Sequence, residues 1–198
     1  MKESLLTELR DRHTSMVDFK RASDKLAGII AAEIACSILE EPVSIHTPLK
    51  ETMGKKTTQD VVLIPILRAG FALLRSFLRF FENARVGFVG VQRDKEANPV
   101  LYYEKIPLLK ASDRIIILDP IIATGGSTVI TIEKLTAGGG LADKITVVGM
   151  VAAPEGLHAI QKNFPQVDVK ITAVDEGLDE HKYIVPGLGD FGDRYFGC

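Results

Sequence analysis

With 198 residues, a formal net charge of −2 and 46% hydrophobic content, the chain fits one domain with a substantial core and carries no basic excess that would make nucleic acid a main partner. Its two cysteines, Cys36 and Cys198, exclude a disulfide framework and suit a reducing compartment. Met1 to Leu6 lacks the apolar core of a signal peptide and no apolar run is long enough for a bilayer, so the expected location is the cytoplasm, with no membrane partner.

The chain opens with an amphipathic segment from Leu5 to Arg12, after which Thr14-Ser15 can cap a longer helix over about Val17 to Leu39. Leu26, Ile29, Ile30, Ile34, Ile38 and Leu39 recur at helical spacing, which predicts burial against a sheet or a partner subunit. Glu41-Pro42 ends that helix, and Val43 to Leu49 reads as an edge strand. His46 on it reads as a surface histidine, because no acidic or cysteine partner is spaced for a metal.

Val61 to Ile66 is a buried strand that turns through Leu67-Arg68-Ala69-Gly70 into a helix from Phe71 to Phe81. Arg68 thus lies at the carboxyl end of a central strand, where open α/β sheets bind ligands, and the nearby sequence offers no carboxylate to pair it, so an anion is its expected partner. Val86 to Val91 is a third strand, leading to the charged turn Gln92-Arg93-Asp94-Lys95-Glu96. Arg93 is a second candidate for gripping a phosphate with its planar guanidinium. Val100 to Pro107 has the composition of a β-arm, in which Tyr102 and Tyr103 read as half-buried packing residues.

The stretch Arg114 to Thr128 organises the whole chain. Ile115 to Leu118 is apolar without alternation, as a parallel strand covered on both faces requires. It ends at Asp119-Pro120, and Ile121-Ile122-Ala123-Thr124-Gly125-Gly126-Ser127-Thr128 then leads into a helical pattern. Two glycines let backbone N–H groups approach an anion, three hydroxyls add donors, and the helix N-terminus faces the same point. The same strand, loop and helix could serve tight packing alone. No lysine follows the glycines as in a P-loop and there is no G-x-G-x-x-G, whereas Asp119 beside a phosphate suits vicinal sugar hydroxyls. The pattern therefore suggests a ribose 5-phosphate.

Gly138-Gly139-Gly140 stops that helix, Ile145 to Ala152 and Val167 to Val174 read as further strands, and a helix follows Pro154. Alternation from residue 61 to about 174 predicts an α/β fold, a mainly parallel central sheet flanked by helices. One domain spans 1–198, with N-terminal helices over about 1–40 and a core over about 60–175. The Gly- and Asp-rich stretch from Tyr183 to Arg194 reads as too polar and bent for a helix. It is either a loop tied down by Asp193 and Arg194 or a hood over about 183–194 whose backbone groups read the edge of a flat ligand.

Taken together, Ile66-Leu67-Arg68-Ala69-Gly70, the stretch Asp119 to Ser127 and the stretch Tyr183 to Arg194, with Gln92-Arg93-Asp94 and Tyr102-Tyr103-Glu104-Lys105 between them, resemble the uracil phosphoribosyltransferase family. The resemblance covers nearly the whole chain. It implies the type I phosphoribosyltransferase fold with a β-arm and a C-terminal hood, and conversion of uracil and 5-phosphoribosyl 1-diphosphate (PRPP) to UMP and diphosphate with magnesium held through PRPP and water. On that basis Arg68 and Arg93 meet the diphosphate, while Asp119, Pro120, Ile121, Ile122, Ala123, Thr124, Gly125, Gly126 and Ser127 hold the ribose 5-phosphate. Asp190 touches PRPP as well as the base, and uracil contacts Ile184, Gly189, Asp190 and Phe191. The resemblance further implies a homodimer or larger homo-oligomer, and GTP as an allosteric activator whose site no residue here marks. Two departures stand out: Leu118 precedes a single Asp119 where the wider type I signature has two adjacent acids, and Phe191 stands where many relatives have alanine. A phosphoribosyltransferase for another base, a non-catalytic nucleotide sensor on the same fold and a flavodoxin-like binding protein are the alternatives.

Overall fold

A computed structural model describes residues 1–93 and 99–198, with the side chain of Arg93 outside the described residues. Helix α1 (Lys2–Arg10) buries Leu5, Leu6 and Leu9, and α2 (Met16–Ala35) buries Phe19, Leu26, Ile30 and Ile34 on one face. Ser15 caps α2, its side chain accepting from the Asp18 N–H at 3.2 Å. The helix stops at Ala35, short of the expected Leu39, because the chain turns there and Ser37 donates its hydroxyl to the Ile34 carbonyl. Ile38 remains buried, but Leu39 is exposed.

Strands β1 (Glu40–His46) and β2 (Glu51–Thr57) pair antiparallel as a separate two-stranded sheet. The strand expected over Val43 to Leu49 therefore exists, though it does not edge the central sheet. Its partner is the following polar segment, whose lack of apolar alternation hid it from the sequence. Pro42 is tolerated because such a ribbon leaves outer N–H positions unpaired.

The remaining elements are β3 (Val61–Leu67), α3 (Phe71–Leu78), β4 (Arg85–Val86), β5 (Phe88–Arg93), β6 (Pro99–Lys105), β7 (Arg114–Leu118), β8 (Ile121–Ile122), α4 (Gly126–Ala137), β9 (Ile145–Ala152), α5 (Pro154–Asn163), β10 (Asp168–Val174), β11 (Gly177–Leu178), β12 (Ile184–Val185) and α6 (Phe191–Phe196). The main sheet runs β10-β9-β7-β3-β5-β6, parallel except that β6 returns antiparallel to β5. Two apolar layers explain its continuous hydrophobic runs. Ile116 and Leu118 of β7 face α1, α2 and α3, whereas Ile115 and Ile117 face α4 and α5. No helix among the described residues is long and apolar enough to cross a membrane.

Helix α6 corrects the sequence expectation. Asp190 accepts from the Asp193 N–H at 2.9 Å as an N-cap, Phe191 is buried, and Gly197 closes the turn at φ +78°. A cap and a buried ring each contribute on the order of 1–3 kcal/mol, enough to outweigh the roughly 1 kcal/mol that Gly192 costs inside a short helix.

Candidate active site

The carboxyl ends of β3, β5 and β7 open on one cavity of about 660 Å³, lined among others by Arg68, Gln92, Asp119, Ser127, Ile184 and Asp190. That is the edge at which parallel sheets bind ligands.

Asp119 leaves β7 with its N–H on the Val148 carbonyl at 3.0 Å, and the Pro120 carbonyl accepts from Met150 N–H at 2.9 Å. Ile121 and Ile122 then pair with Val151 and Ala152 as β8, so the first half of the loop is stitched to β9. Gly125 sits at φ +78°, where an added Cβ would lie 2.6 Å from the Gly156 carbonyl oxygen. Only glycine meets both demands. Among the described residues no side chain caps α4, so its first N–H groups, with the positive end of the helix dipole behind them, are available to an anion near Ser127.

Asp119 is 9% exposed, and its Oδ2 accepts from the Thr128 hydroxyl at 3.1 Å. Burial pushes its carboxyl up to about 7, against the opposing hydrogen bonds from Thr128 and the Ile121 backbone.

Arg68 follows β3 across a cis Leu67–Arg68 peptide. Gly70 next to it is fixed by close approach, since a Cβ there would sit 2.1 Å from the Leu118 carbonyl oxygen. The Arg68 side chain is 61% exposed, with Nη2 3.3 Å from Asp193 Oδ1 and Nη1 3.1 Å from Cys198 Sγ. The sequence expectation of an arginine without a carboxylate partner is thereby corrected: α6 brings Asp193 to it from the far end of the chain. Exposed pairs of this kind contribute little, so an incoming anion can compete for the guanidinium.

The hood crosses above. Gly187 and Gly189 take positive φ, +59° and +78°, and Ile184 is buried beneath them. Phe191 lines the cavity, yet its side chain is 2% exposed and packs edge-on to Phe19 and stacked on Tyr195, with centroids 5.4 and 5.7 Å apart.

Arg68, Asp119, Ile121, Ala123, Ser127, Ile184, Gly189, Asp190 and Phe191 all line the cavity, whereas Pro120, Ile122, Thr124, Gly125 and Gly126 build the loop behind it. Arg93 ends β5, its side chain outside the described residues, as are Asp94, Lys95 and Glu96. Tyr102, expected as packing, is half exposed and both packs and lines: its ring covers Gly90, where a Cβ would lie 2.6 Å from Cζ, and it borders the cavity with Lys182 and Tyr183. The paired signal was the bare Gly90 opposite an aromatic residue on a neighbouring strand.

A mainly parallel sheet carrying a carboxylate-tipped, glycine-bearing loop before a helix, under a hood, defines a phosphoribosyltransferase of the type I fold. A Bacillus anthracis hypoxanthine-guanine phosphoribosyltransferase superposes on it with a TM-score of 0.53 at 11% identity, over 81% of this chain and 80% of that one. The model of the family described as uracil phosphoribosyltransferase matches residues 1–198, and the chain belongs to that family. It is 42% identical to the uracil phosphoribosyltransferase of Thermococcus kodakarensis over 98% of this chain and 85% of the relative. A solved Aquifex aeolicus protein matches with a TM-score of 0.91 at 32% identity, covering 98% of this chain and 93% of the other.

Proposed function

We propose that the 198 residues act as one cytoplasmic phosphoribosyltransferase domain that makes UMP and diphosphate from uracil and PRPP. The carrying observation is one cavity lined at once by Asp119, Ile121, Ala123 and Ser127 of the phosphate loop, by Arg68 and by the hood. The α4 N-terminus and the Ser127 hydroxyl receive the 5-phosphate, and Asp119 accepts from the ribose hydroxyls. Arg68 and Arg93 hold the diphosphate. Uracil lies against Ile184 and the Gly189-Asp190-Phe191 backbone.

Displacement at the anomeric carbon passes through a transition state with oxocarbenium character, with uracil N1 as nucleophile. Negative charge grows on the departing diphosphate, where fixed guanidinium groups stabilise it. Loop and hood supply the rest by holding base and sugar in line. Uracil presents acceptor, donor and acceptor along one edge. A hood offering N–H, C=O and N–H there would leave cytosine facing unpaired groups, at roughly 1–3 kcal/mol per buried mismatch.

Asp119 and Asp190 border the cavity, so magnesium held by the PRPP phosphates and retained waters would meet their carboxylates through water. When bound, the ion would neutralise charge on the diphosphate. A homodimer or larger assembly is further supported by the β1–β2 ribbon. It leaves Met53 64% and Leu49 95% exposed, and isolated two-stranded ribbons are marginal in water.

The test mixes the protein with magnesium, PRPP and each of uracil, cytosine, orotate, hypoxanthine and adenine, with and without GTP, and quantifies monophosphate and diphosphate. UMP from uracil alone is the expected result. Equal turnover of cytosine would contradict the backbone readout. Binding of UMP without any turnover would make the chain a sensor.

A further inference from the structure

One partly buried ion pair stands outside the cavity and yet holds its roof. Asp175 follows β10 with its side chain 5% exposed, and both its carboxylate oxygens are gripped by the Arg10 guanidinium of α1, Nη2 to Oδ1 at 2.6 Å and Nη1 to Oδ2 at 2.7 Å. The pair then closes on a single residue of the hood. Asp175 Oδ2 accepts from the Gly187 N–H at 2.8 Å, and Arg10 Nη1 donates to the Gly187 carbonyl at 2.8 Å.

Both backbone polar groups of Gly187 are therefore fixed by one charge pair. Gly187 itself cannot be replaced without strain, since it sits at φ +59° and a Cβ would lie 2.1 Å from the Ile184 carbonyl oxygen. It stands between Ile184 and the Gly189-Asp190-Phe191 turn, the two segments assigned above to the base. Arg194 makes a second tie from the same end of α1. Its guanidinium donates to the carbonyls of Leu9, Leu188 and Asp11, and stacks over Phe19 with its centre 4.4 Å from the ring. Consecutive hood residues 187 and 188 are thus pinned by α1, an element remote from the phosphate loop.

We infer that Arg10 and Asp175 are positioning residues for the base subsite, setting where the hood presents its backbone groups to the flat face and edge of a pyrimidine. The inference rests on the uracil reading of the hood. An ion pair needed only for stability would have no reason to place a further donor and a further acceptor on the two backbone groups of one glycine; a device for holding that glycine would. The guanidinium fork matters, because lysine keeps the charge but cannot reach two carboxylate oxygens and a carbonyl together. The low-pKa state of Asp175, held down first by the hydrogen bond from Arg10, keeps it an acceptor for Gly187 throughout the neutral range.

The experiment measures KM for uracil and for PRPP separately, and the uracil to cytosine ratio of kcat/KM, in the wild-type protein, Arg10→Lys and Asp175→Asn. Thermal melts accompany each. Loss of a charge-assisted tie to the hood is expected to raise KM for uracil about ten- to a hundredfold. KM for PRPP should move less than about twofold, and the uracil preference should fall. Arg10 is only partly buried, so the lysine variant keeps a folded chain to measure even if Asp175→Asn does not. Unchanged uracil KM in the folded variants, or KM values for both substrates rising together, overturns the positioning role. A wild-type protein that neither binds UMP nor forms it overturns the proposed function itself, a result read without any variant.

Discussion

Thr128, in the first turn of α4, donates its hydroxyl to Asp119 Oδ2 at 3.1 Å, tying the helix to the carboxyl end of β7. That bond favours the ionised carboxylate but does not offset its burial, and Asp119 titrates at about 7 instead of 3.8. Raised pKa means that the folded state binds the proton more tightly than the unfolded chain. The stabilisation is fully present below about 3.8 and is lost as pH rises through about 7. Asp119→Asn should therefore melt higher than the wild type at pH 8.5, with the difference shrinking steadily as pH falls and closing near pH 3.8. If the ribose hydroxyls take the ionised carboxylate as acceptor, as proposed, UMP binding at pH 7 should release a fraction of a proton in the wild type beyond that lost by the phosphate. Calorimetry in two buffers of different ionisation enthalpy reads this, and the extra release should vanish in Asp119→Asn together with most of the affinity.

Arg68 tests the opposite balance. Its pair with Asp193 is more than half exposed on both sides, so Arg68→Ala should leave the melting temperature nearly unchanged. Loss of one positioned charge on a leaving group commonly lowers the rate by a factor of about 100 to 1000. Steady-state kinetics with PRPP varied should show that loss; near-native kcat/KM would remove Arg68 from the site.

Gly125 is the sharpest structural requirement in the phosphate loop. With φ at +78° and the Gly156 carbonyl where a Cβ would sit, Gly125→Ala must displace α5 or distort the loop. Weakened ribose 5-phosphate binding, measured directly by calorimetry, is expected to exceed any loss of uracil discrimination.

These residues also show what the sequence could and could not reveal. The loop from Asp119 to Ser127 was legible because its signals are local: an apolar run, two glycines, hydroxyls and a helical pattern follow one another within a few residues. Arg68 was placed correctly for the same reason, by its position after β3. Its partner Asp193 was not, because the pair joins residues far apart in the chain, and only the folded α6 brings them together. Helix α6 was missed because glycine and aspartate composition argues against helix, while the Asp190 cap and the burial of Phe191 against Phe19 are decided by tertiary packing. Strand β2 escaped for the converse reason: its side chains are nearly all exposed, so no alternation marks it.

Phe191 separates packing from recognition within one residue. Its ring is buried between Phe19 and Tyr195, while the residue borders the cavity. Truncation to alanine should cost about 3–5 kcal/mol of folding stability through lost burial and an unfilled cavity. Denaturant unfolding measures this as a lowered midpoint. Phe191→Leu, which refills part of the space, should recover much of that loss. In the leucine variant the preference for uracil over cytosine should persist if, as proposed, main-chain groups read the base edge. A collapse of that preference in a well-folded Phe191→Leu protein would mean that the ring contacts the base, and that this side chain leaves its place against Phe19 when substrate binds.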